Sequence, residues 1–276
     1  MIPYSALAQV YDQLTGDVAY RQWAEFAQRA FERQGKGETK VILELACGTG
    51  SLTQLLAQAG YEMIAADISP EMLSVAREKC ASAPCPPIFL CQDMRELDLY
   101  GDIDAAVCCL DSVNYLTGLR DLKRAFRRVA LFLRPGGLFL FDVKTPLAFA
   151  EMGGLSSIQQ VGEAFCAWQY GYEAKSGAAQ HQVDIFWPEA DGRYLRSTEL
   201  HEQRAYSRQQ LEQALAQAGL DAVSVCASPE GGRPGPKARR LYFAARKKKG
   251  EAPIQPAGSW KAAVVSRESL RRQGNQ

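Results

Sequence analysis

Val41-Ile42-Leu43-Glu44-Leu45-Ala46-Cys47-Gly48-Thr49-Gly50 runs from an apolar stretch into a glycine turn, and Ser51 to Ala59 continue in helical rhythm. A second apolar run ends on Asp67. The order is strand, tight turn, open helix N-terminus and carboxylate, all at the C-terminal edge of a parallel sheet, where an adenosine-containing ligand lies across the fold. Gly48 and Gly50 flank Thr49 where a side chain would block close approach of a ligand. Their expected partner is the carboxylate and amino acid portion of a bound nucleoside. Glu44 either orders this loop or meets the ligand's ammonium group through ordered water. Both roles suit a cationic ligand better than a phosphate, which a carboxylate repels.

Outward from this turn, Tyr4 to Tyr11 and Asp17 to Gln34 read as helices preceding the sheet. Further strands are expected at Tyr61 to Ala66, Pro87 to Cys91, Ile103 to Cys109 and Leu138 to Asp142, with helices from Pro70 to about Cys80 and from Gly118 to Phe132. The strand from Leu138 is apolar throughout, as one covered on both faces should be. Beyond it Ile158 to Gln180, His181 to Trp187 and Tyr194 to Tyr206 alternate polar with apolar residues, the pattern of a small antiparallel platform inserted above the main sheet. Ser207 with Gln210 three residues on marks a helix start, and Asp221 to Cys226 with Arg239 to Ala245 suit a closing antiparallel hairpin. The fold class is α/β: a Rossmann-like, seven-stranded sheet with an N-terminal helical cap and an inserted antiparallel sheet. The expected division is cap 1–36, ligand-binding half 37–150, platform 151–206, C-terminal part of the main domain 207–249, and a flexible or partly helical basic tail 250–276.

Length and composition agree with one core-forming domain plus extras: 276 residues, 47% apolar and 23% charged. No run is long and apolar enough to cross a membrane, and Met1-Ile2-Pro3-Tyr4 lacks the layout of a secretory signal, so a cytoplasmic location is expected. Eight cysteines at irregular spacing read as small buried hydrophobes of a reducing compartment. There is no Cys-x-x-Cys, and only His181 and His201 offer imidazole, so no metal site is expected. A formal charge of +1 gives no field that draws the chain to nucleic acid. Arg246-Lys247-Lys248-Lys249 follow the last apolar run, and the residues after them read as a frayed or partly helical tail, or alternatively as a segment contacting RNA or a partner.

Asp67 is placed to accept from ribose hydroxyls, though Asp67-Ile68-Ser69-Pro70 is also a turn and helix cap. Asp93 is placed to accept an adenine amino group with Met94 packing on the ring; a polar turn with a core methionine is the other reading. A nicotinamide ligand fits less well, because no third glycine follows Gly48 and Gly50.

Together these motifs resemble the class I S-adenosylmethionine-dependent methyltransferases. Within them, Val10-Tyr11-Asp12-Gln13-Leu14 with Tyr20 and Trp23 is similar to a bacterial group related to small-molecule N-methyltransferases. The core likeness spans Val41 to about Asp142. The resemblance implies S-adenosylmethionine as cofactor, held by Glu44, Ala46, Gly48 and Gly50 at the methionine end, Asp67 at the ribose, and Asp93 and Met94 at the adenine, with Ile68 as a further cofactor contact. Ala46 stands where the family often has glycine, a replacement that a turn of negative φ tolerates. Leu133-Arg134-Pro135-Gly136-Gly137 matches the turn before strand five. In such relatives an N-terminal helix folds over the cofactor, which makes Tyr11 the candidate for closing the pocket, with Tyr4 and Trp23 behind it.

The resemblance turns the end of the fourth strand toward the activated methyl. Leu110 is then a cofactor contact, and Asp111, Ser112, Asn114 and Tyr115 supply a mixed polar wall; a helix cap is the alternative for Ser112 and Asn114. Methyl transfer from a sulfonium needs alignment and exclusion of water more than a strong base. The catalytic candidates are Asp111 and Tyr115 in this wall, Asp111 positioning an acceptor amine, and His201 as base if the platform folds over the site. Two or three of Trp168, Tyr170, Tyr172, Phe186, Trp187, Tyr194 and Tyr206 are expected to face an acceptor pocket, and Arg204 to pair with a nearby carboxylate, the other reading being a hold on an acidic substrate group.

The leading function is methylation of a nitrogen or oxygen of a small metabolite, which calls for a pocket of roughly 300–1,000 Å³. An RNA or ribosomal acceptor ranks second: Leu110-Asp111-Ser112-Val113 stands where base amino-group methylation expects Asn/Asp-Pro-Pro-Tyr/Phe, and the balanced charge gives it no support. A non-catalytic protein that binds the cofactor for regulation or assembly is the third class. The oligomeric state and the acceptor are not encoded in these motifs.

Overall fold

The computed structural model describes residues 7–16, 18–34 and 39–249. Tyr4 and the segment from Gly250 onward lie outside the described residues. A 3-10 turn, Leu7–Gln9, leads into α1 (Tyr11–Leu14) and α2 (Tyr20–Gln34). Next in the chain are β1 (Val41–Leu45), α3 (Ser51–Gln58), β2 (Glu62–Asp67), α4 (Pro70–Lys79), β3 (Ile88–Cys91) and β4 (Ile103–Cys108). A 3-10 turn, Ser112–Tyr115, precedes α5 (Leu119–Phe132) and β5 (Leu133–Lys144). Beyond them come α6 (Pro146–Met152), β6 (Ser156–Val161), β7 (Ala164–Glu173), β8 (Ala178–Pro188) and β9 (Tyr194–Arg204). The chain returns through α7 (Arg208–Gln217), β10 (Leu220–Cys226) and β11 (Arg240–Lys247).

The main sheet has seven strands in the order β10-β11-β5-β4-β1-β2-β3. β1 pairs in parallel with both β2 and β4, so the chain reverses direction across the sheet beside β1, the place where ligands settle in open α/β sheets. α5 and α7 bury Phe126, Val129 and Leu211 with Phe139, Phe141 and Phe243 on one face. α2 and α3 bury Trp23, Phe31 and Leu56 with Ile42, Val107 and Leu140 on the other. Both faces of the central strands are thereby covered, which is why their sequences are apolar without alternation.

The second sheet has the order β6-β7-β8-β9, all antiparallel. The alternating run from Ile158 to Gln180 is therefore not one extended piece; tight turns break it after Val161 and after Glu173, where Gly162 and Gly177 take positive φ. Its inner face, Cys166, Val183 and Ile185, closes against Leu7 and Val10 of the N-terminal segment. Two further elements differ from expectation. β5 begins at Leu133, and its register jumps from Ile103↔Leu133 to Ala105↔Leu138, so Arg134 to Gly137 form an irregularity inside the strand rather than a turn before it. α6 has a threonine cap, Thr145, whose side chain accepts from Ala148 N, with Pro146 at the first helical position. Ser207 and Gln210 form the reciprocal capping box that their spacing predicts.

Candidate active site

At the C-terminal ends of β1, β2 and β4 lies a cavity of about 330 Å³. Tyr11, Ala46, Gly48, Asp67 and Ile68 line one part of it, and Asp93, Met94, Leu110 and Tyr115 another. Glu44, Gly50, Asp111 and His201 stand behind this wall rather than in it, each for a physical reason.

Glu44 is buried and accepts a hydrogen bond from Thr53 Oγ1 on α3, so it orders the loop from behind. Burial pushes its carboxyl up to about 8, with Asp67 adding to the rise and Thr53 opposing it. The unfolded chain ionises this group near 4.5, so between there and about 8 the folded chain holds the extra proton. Stability from Glu44 accordingly falls as pH rises through that window, at up to about 1.4 kcal/mol per pH unit. Glu44→Gln is expected to remove this slope. Urea midpoints of the two proteins at pH 5 and pH 8 check it, and parallel pH dependence in both would refute the assignment.

Gly50 faces a helix, not a ligand. A Cβ there would meet Ala76 Cβ at 3.0 Å and Cα at 3.3 Å, so the glycine lets α4 approach the loop. Gly48 does face the cavity: the nearest atom to a Cβ placed on it is Tyr11 Cε1 at 4.0 Å. Ala46 has φ of 51°, not the negative value expected of an alanine that replaces glycine. Left-handed backbone costs a residue with a Cβ about 1–2 kcal/mol. Ala46→Gly is therefore expected to raise stability by about 1 kcal/mol in urea unfolding; a lower midpoint would show that the turn is not strained.

Asp67, 9% exposed, holds the two loops together. One oxygen accepts from Gly48 N at 2.8 Å and the other from Ser69 N at 2.9 Å. Each carboxylate oxygen has a second lone pair, so the turn-forming and ligand-accepting readings coexist. Burial raises its pKa, opposed by these backbone donors. Asp93 is also engaged, by the Arg95 guanidinium at 2.9 and 3.0 Å through Nε. Burial raises the Asp93 carboxyl, but the hydrogen bonds from Arg95 outweigh it and hold the group below its usual range.

The N-terminal segment is latched to the glycine turn. Thr49 Oγ1 donates to Asp12 Oδ1 at 2.6 Å, and Lys79 Nζ of α4 reaches the same oxygen at 2.7 Å. Tyr11 lies against the cavity with its hydroxyl hydrogen-bonded to Tyr20, and burial raises the pKa of both phenols. Trp23 does not close the pocket: it is buried under the sheet, with Nε1 donating to Asp142 Oδ1 at 3.0 Å.

Asp111 is not presented to an acceptor. Arg240 Nη2 donates to one of its oxygens at 2.7 Å, and Gln203 Nε2 and Lys144 Nζ reach the other at 3.0 Å each. Burial pushes its carboxyl up, but the charges of Lys144 and Arg240 more than offset this and hold it at about 2. Leu110 and Asp111 have φ of 56° and 52°, two adjacent left-handed residues without glycine. Asp142, near the end of β5, accepts from Leu110 N at 2.7 Å and Asp111 N at 3.1 Å and also binds Arg240 Nη1. Asn114 is likewise structural: its side chain accepts from Lys144 N at 3.0 Å and donates to Arg204 O at 2.7 Å, tying β5 to β9. Ser112 remains in the cavity wall.

On the platform, two or three of seven aromatic candidates were expected in the pocket, but none of the seven lines the cavity; Leu200 and Glu202 of β9 do. Tyr206 is buried and donates to the Leu116 carbonyl. Arg204 binds the Thr117 carbonyl at 3.1 Å and lies 5.7 Å from the Tyr206 ring centre, so its partners are a carbonyl and a ring rather than a carboxylate. His201, 1% exposed, sits behind Tyr115 with Nδ1 3.2 Å from the Tyr115 hydroxyl. Leu200 and Glu202 were missed because strand alternation identifies two faces of β9 but not which of them borders the cavity.

The cavity position, the backbone-anchored acid that ends β2 and the strand order are those of a ligand site at the crossover point of an open α/β sheet. A family profile described as a methyltransferase domain matches residues 42–137. The Bacillus subtilis protein named “Putative methyltransferase YqeM” is 35% identical over 248 residues, covering 89% of this chain and 98% of its own length. The chain belongs to the class I S-adenosylmethionine-dependent methyltransferases. An S-adenosylmethionine-dependent methyltransferase from Clostridium acetobutylicum has a similar structure, with 29% identity, a TM-score of 0.79, and 89% of this chain and 99% of that one covered. A Streptomyces fradiae relative, dTDP-3-amino-3,6-dideoxy-alpha-D-glucopyranose N,N-dimethyltransferase, is 26% identical over 84% of this chain and 92% of its own. The residues present fit this methyltransferase cofactor: acceptor lone pairs on Asp67, apolar surface at Ile68 and Met94, and a wall at Gly48 with no Cβ. Among the described residues, no helix is long and apolar enough to cross a membrane.

Proposed function

We propose that this methyltransferase acts on a nitrogen or oxygen of a small, polar metabolite in the cytoplasm. The observation that carries this is the cavity of about 330 Å³, whose wall holds Ser112, Tyr115, Thr117 and Glu202 beside the nucleoside-binding residues. Glu202 repels a phosphodiester and attracts an amine, which favours a metabolite over RNA. The name of the Streptomyces fradiae relative, an aminosugar N,N-dimethyltransferase, is consistent with an amine acceptor. All eight cysteines are free thiols, in keeping with a reducing compartment. In this reading Asp67 takes the ribose, Ile68 and Met94 enclose the adenine, Asp93 meets its amino group, Gly48 and Ala46 border the methionine portion, and Tyr11 covers it. When bound, the cofactor supplies an electrophilic methyl on sulfonium.

Calorimetric titration with S-adenosylmethionine and S-adenosylhomocysteine, followed by a labelled-methyl screen of small amines, hydroxyl compounds and RNA, tests the reading. Saturable binding with label entering a small amine or alcohol is expected. Label entering RNA alone would overturn the acceptor class, and absence of binding by folded protein would overturn the catalytic reading.

A further inference from the structure

We propose that the cleft between α2 and the β10–β11 hairpin is a second ligand site, separate from the methyl-transfer cavity, that takes a small phosphate monoester.

The cleft has a volume of about 260 Å³. That is just under the roughly 300–1,000 Å³ that hold a drug-sized molecule, so its ligand is small. Phe26 of α2 and Leu138 of β5 give it an apolar lining. The edge strand shapes its rim: β10 carries one extra residue against β11 between Ala222 and Ser224, a bulge that bends β10 and leaves Val223 half exposed. Arg29 and Arg33 stand about 14 and 20 Å along α2 from Tyr20, the residue that meets Tyr11 at the methyl-transfer cavity, and this length of helix separates the two sites.

The lining carries three guanidinium groups, Arg29, Arg33 and Arg246, against one carboxylate, Glu230. Arg29 is already engaged. Its Nη2 donates to Pro229 O at 2.8 Å, its Nη1 lies 3.7 Å from Glu25, and Glu230, which bonds Ser228, lies in its field. Arg33 follows Arg29 by four residues, so the two cations repel along one helix face. A helix C-terminus favours a cation in its last turn, which accounts for Arg33 but not for Arg246. Arg246 comes from β11, and its Nε is buried without a hydrogen-bond partner among the described residues. Asp221, opposite it in the strand register, lies 3.6 Å from Lys248 instead.

A buried donor without an acceptor is costly, and turning the Arg246 guanidinium onto an anion in the cleft supplies the acceptor. With Arg29 balanced by its own carboxylates, Arg33 and Arg246 match a dianion. The planar fork of arginine takes phosphate oxygens in pairs, and the apolar lining leaves room for a short organic body on the ester. Held between α2 and β11, such a ligand ties the cap helix to the edge of the sheet.

Calorimetric titration of the full chain with phenyl phosphate, inorganic phosphate and benzoate, at fixed ionic strength and about pH 8, where a phosphate monoester carries two charges, tests the site. Saturable binding is expected for phenyl phosphate, weaker binding for inorganic phosphate, which lacks the apolar body, and the weakest for the monoanion benzoate. Arg246→Gln and Arg33→Gln are each expected to lower phenyl phosphate affinity about tenfold or more while leaving S-adenosylhomocysteine binding unchanged. Absence of saturable binding, affinity unmoved by both substitutions, or benzoate binding as tightly as phenyl phosphate would overturn the proposal. Competition between phenyl phosphate and S-adenosylhomocysteine would overturn it too, by placing both in one cavity, and so would a single-stranded RNA bound more tightly through the same two arginines. Arg33 is exposed, so its variant decides the matter if Arg246→Gln does not fold. The titration needs no cofactor, so this site and the methyl-acceptor reading stand or fall separately.

Discussion

Asp142→Asn is expected to lower stability by about 3–5 kcal/mol, the range for breaking a buried ion pair. Asp142 is fully buried and accepts from Leu110 N, Asp111 N, Trp23 Nε1 and Arg240 Nη1. The asparagine has the same shape, but one of its two ends becomes a donor facing donors. It also leaves the Arg240 charge balanced by Asp111 alone. Two strained residues, Leu110 and Asp111, lose an anchor at the same time. The wild-type Asp142 pKa is raised, burial being the main cause with Arg240 opposing it, so the carboxylate depends on the arginine to remain charged. Equilibrium urea unfolding at pH 7 measures the loss. A change under about 1 kcal/mol would mean that the network tolerates an uncompensated partner, contrary to the usual cost of an unsatisfied buried group.

Asp67→Ala is expected to weaken S-adenosylhomocysteine binding by about 100-fold or more. Hydrogen bonds to a charged group contribute about 1.5–3 kcal/mol each, two ribose hydroxyls are to be held, and about 1.4 kcal/mol is a factor of ten. The same change leaves Gly48 N and Ser69 N without their acceptor, so the loop that borders the methionine portion loosens as the ribose contact is lost. Calorimetric titration of the variant, checked for folding by circular dichroism, measures the effect. Affinity within threefold of wild type would leave Asp67 as a loop clasp only.

Much of the main domain was legible because its signals are local. Apolar runs closed by glycine, Pro70 at a helix start and the Ser207–Gln210 box each specify an element without reference to the rest of the chain. The carboxylates were harder. Glu44, Asp67 and Asp142 lie in the last few residues of strands and Asp111 just after one, and their type alone suggests ligand contact. What separates Asp67 from Asp111 is the partner: backbone amides in one case, and Arg240, Lys144 and Gln203 from distant strands in the other. Long-range pairing of that kind leaves no spacing in the sequence. The platform shows the same limit, since Glu199, His201 and Gln203 alternate with Leu200 and Glu202, but only packing against Leu7 and Tyr115 decides which set is buried. Ala46, Leu110 and Asp111 were missed as strained residues because nothing in the side chain announces a positive φ.

The clasp of Thr49 and Lys79 on Asp12 bears on timing as well as shape. Tyr11, the neighbour of Asp12, stands over the recess, so on the proposed covering role of Tyr11 every cycle must open this door once to discharge the spent nucleoside and once to admit its replacement. Asp12 is 42% exposed and Lys79 18%, so dissolved ions reach the clasp and weaken it. Ionic strength thus becomes a throttle on residence time: brine speeds departure of the used nucleoside, while the affinity proposed to come from the sheltered Asp67 changes little.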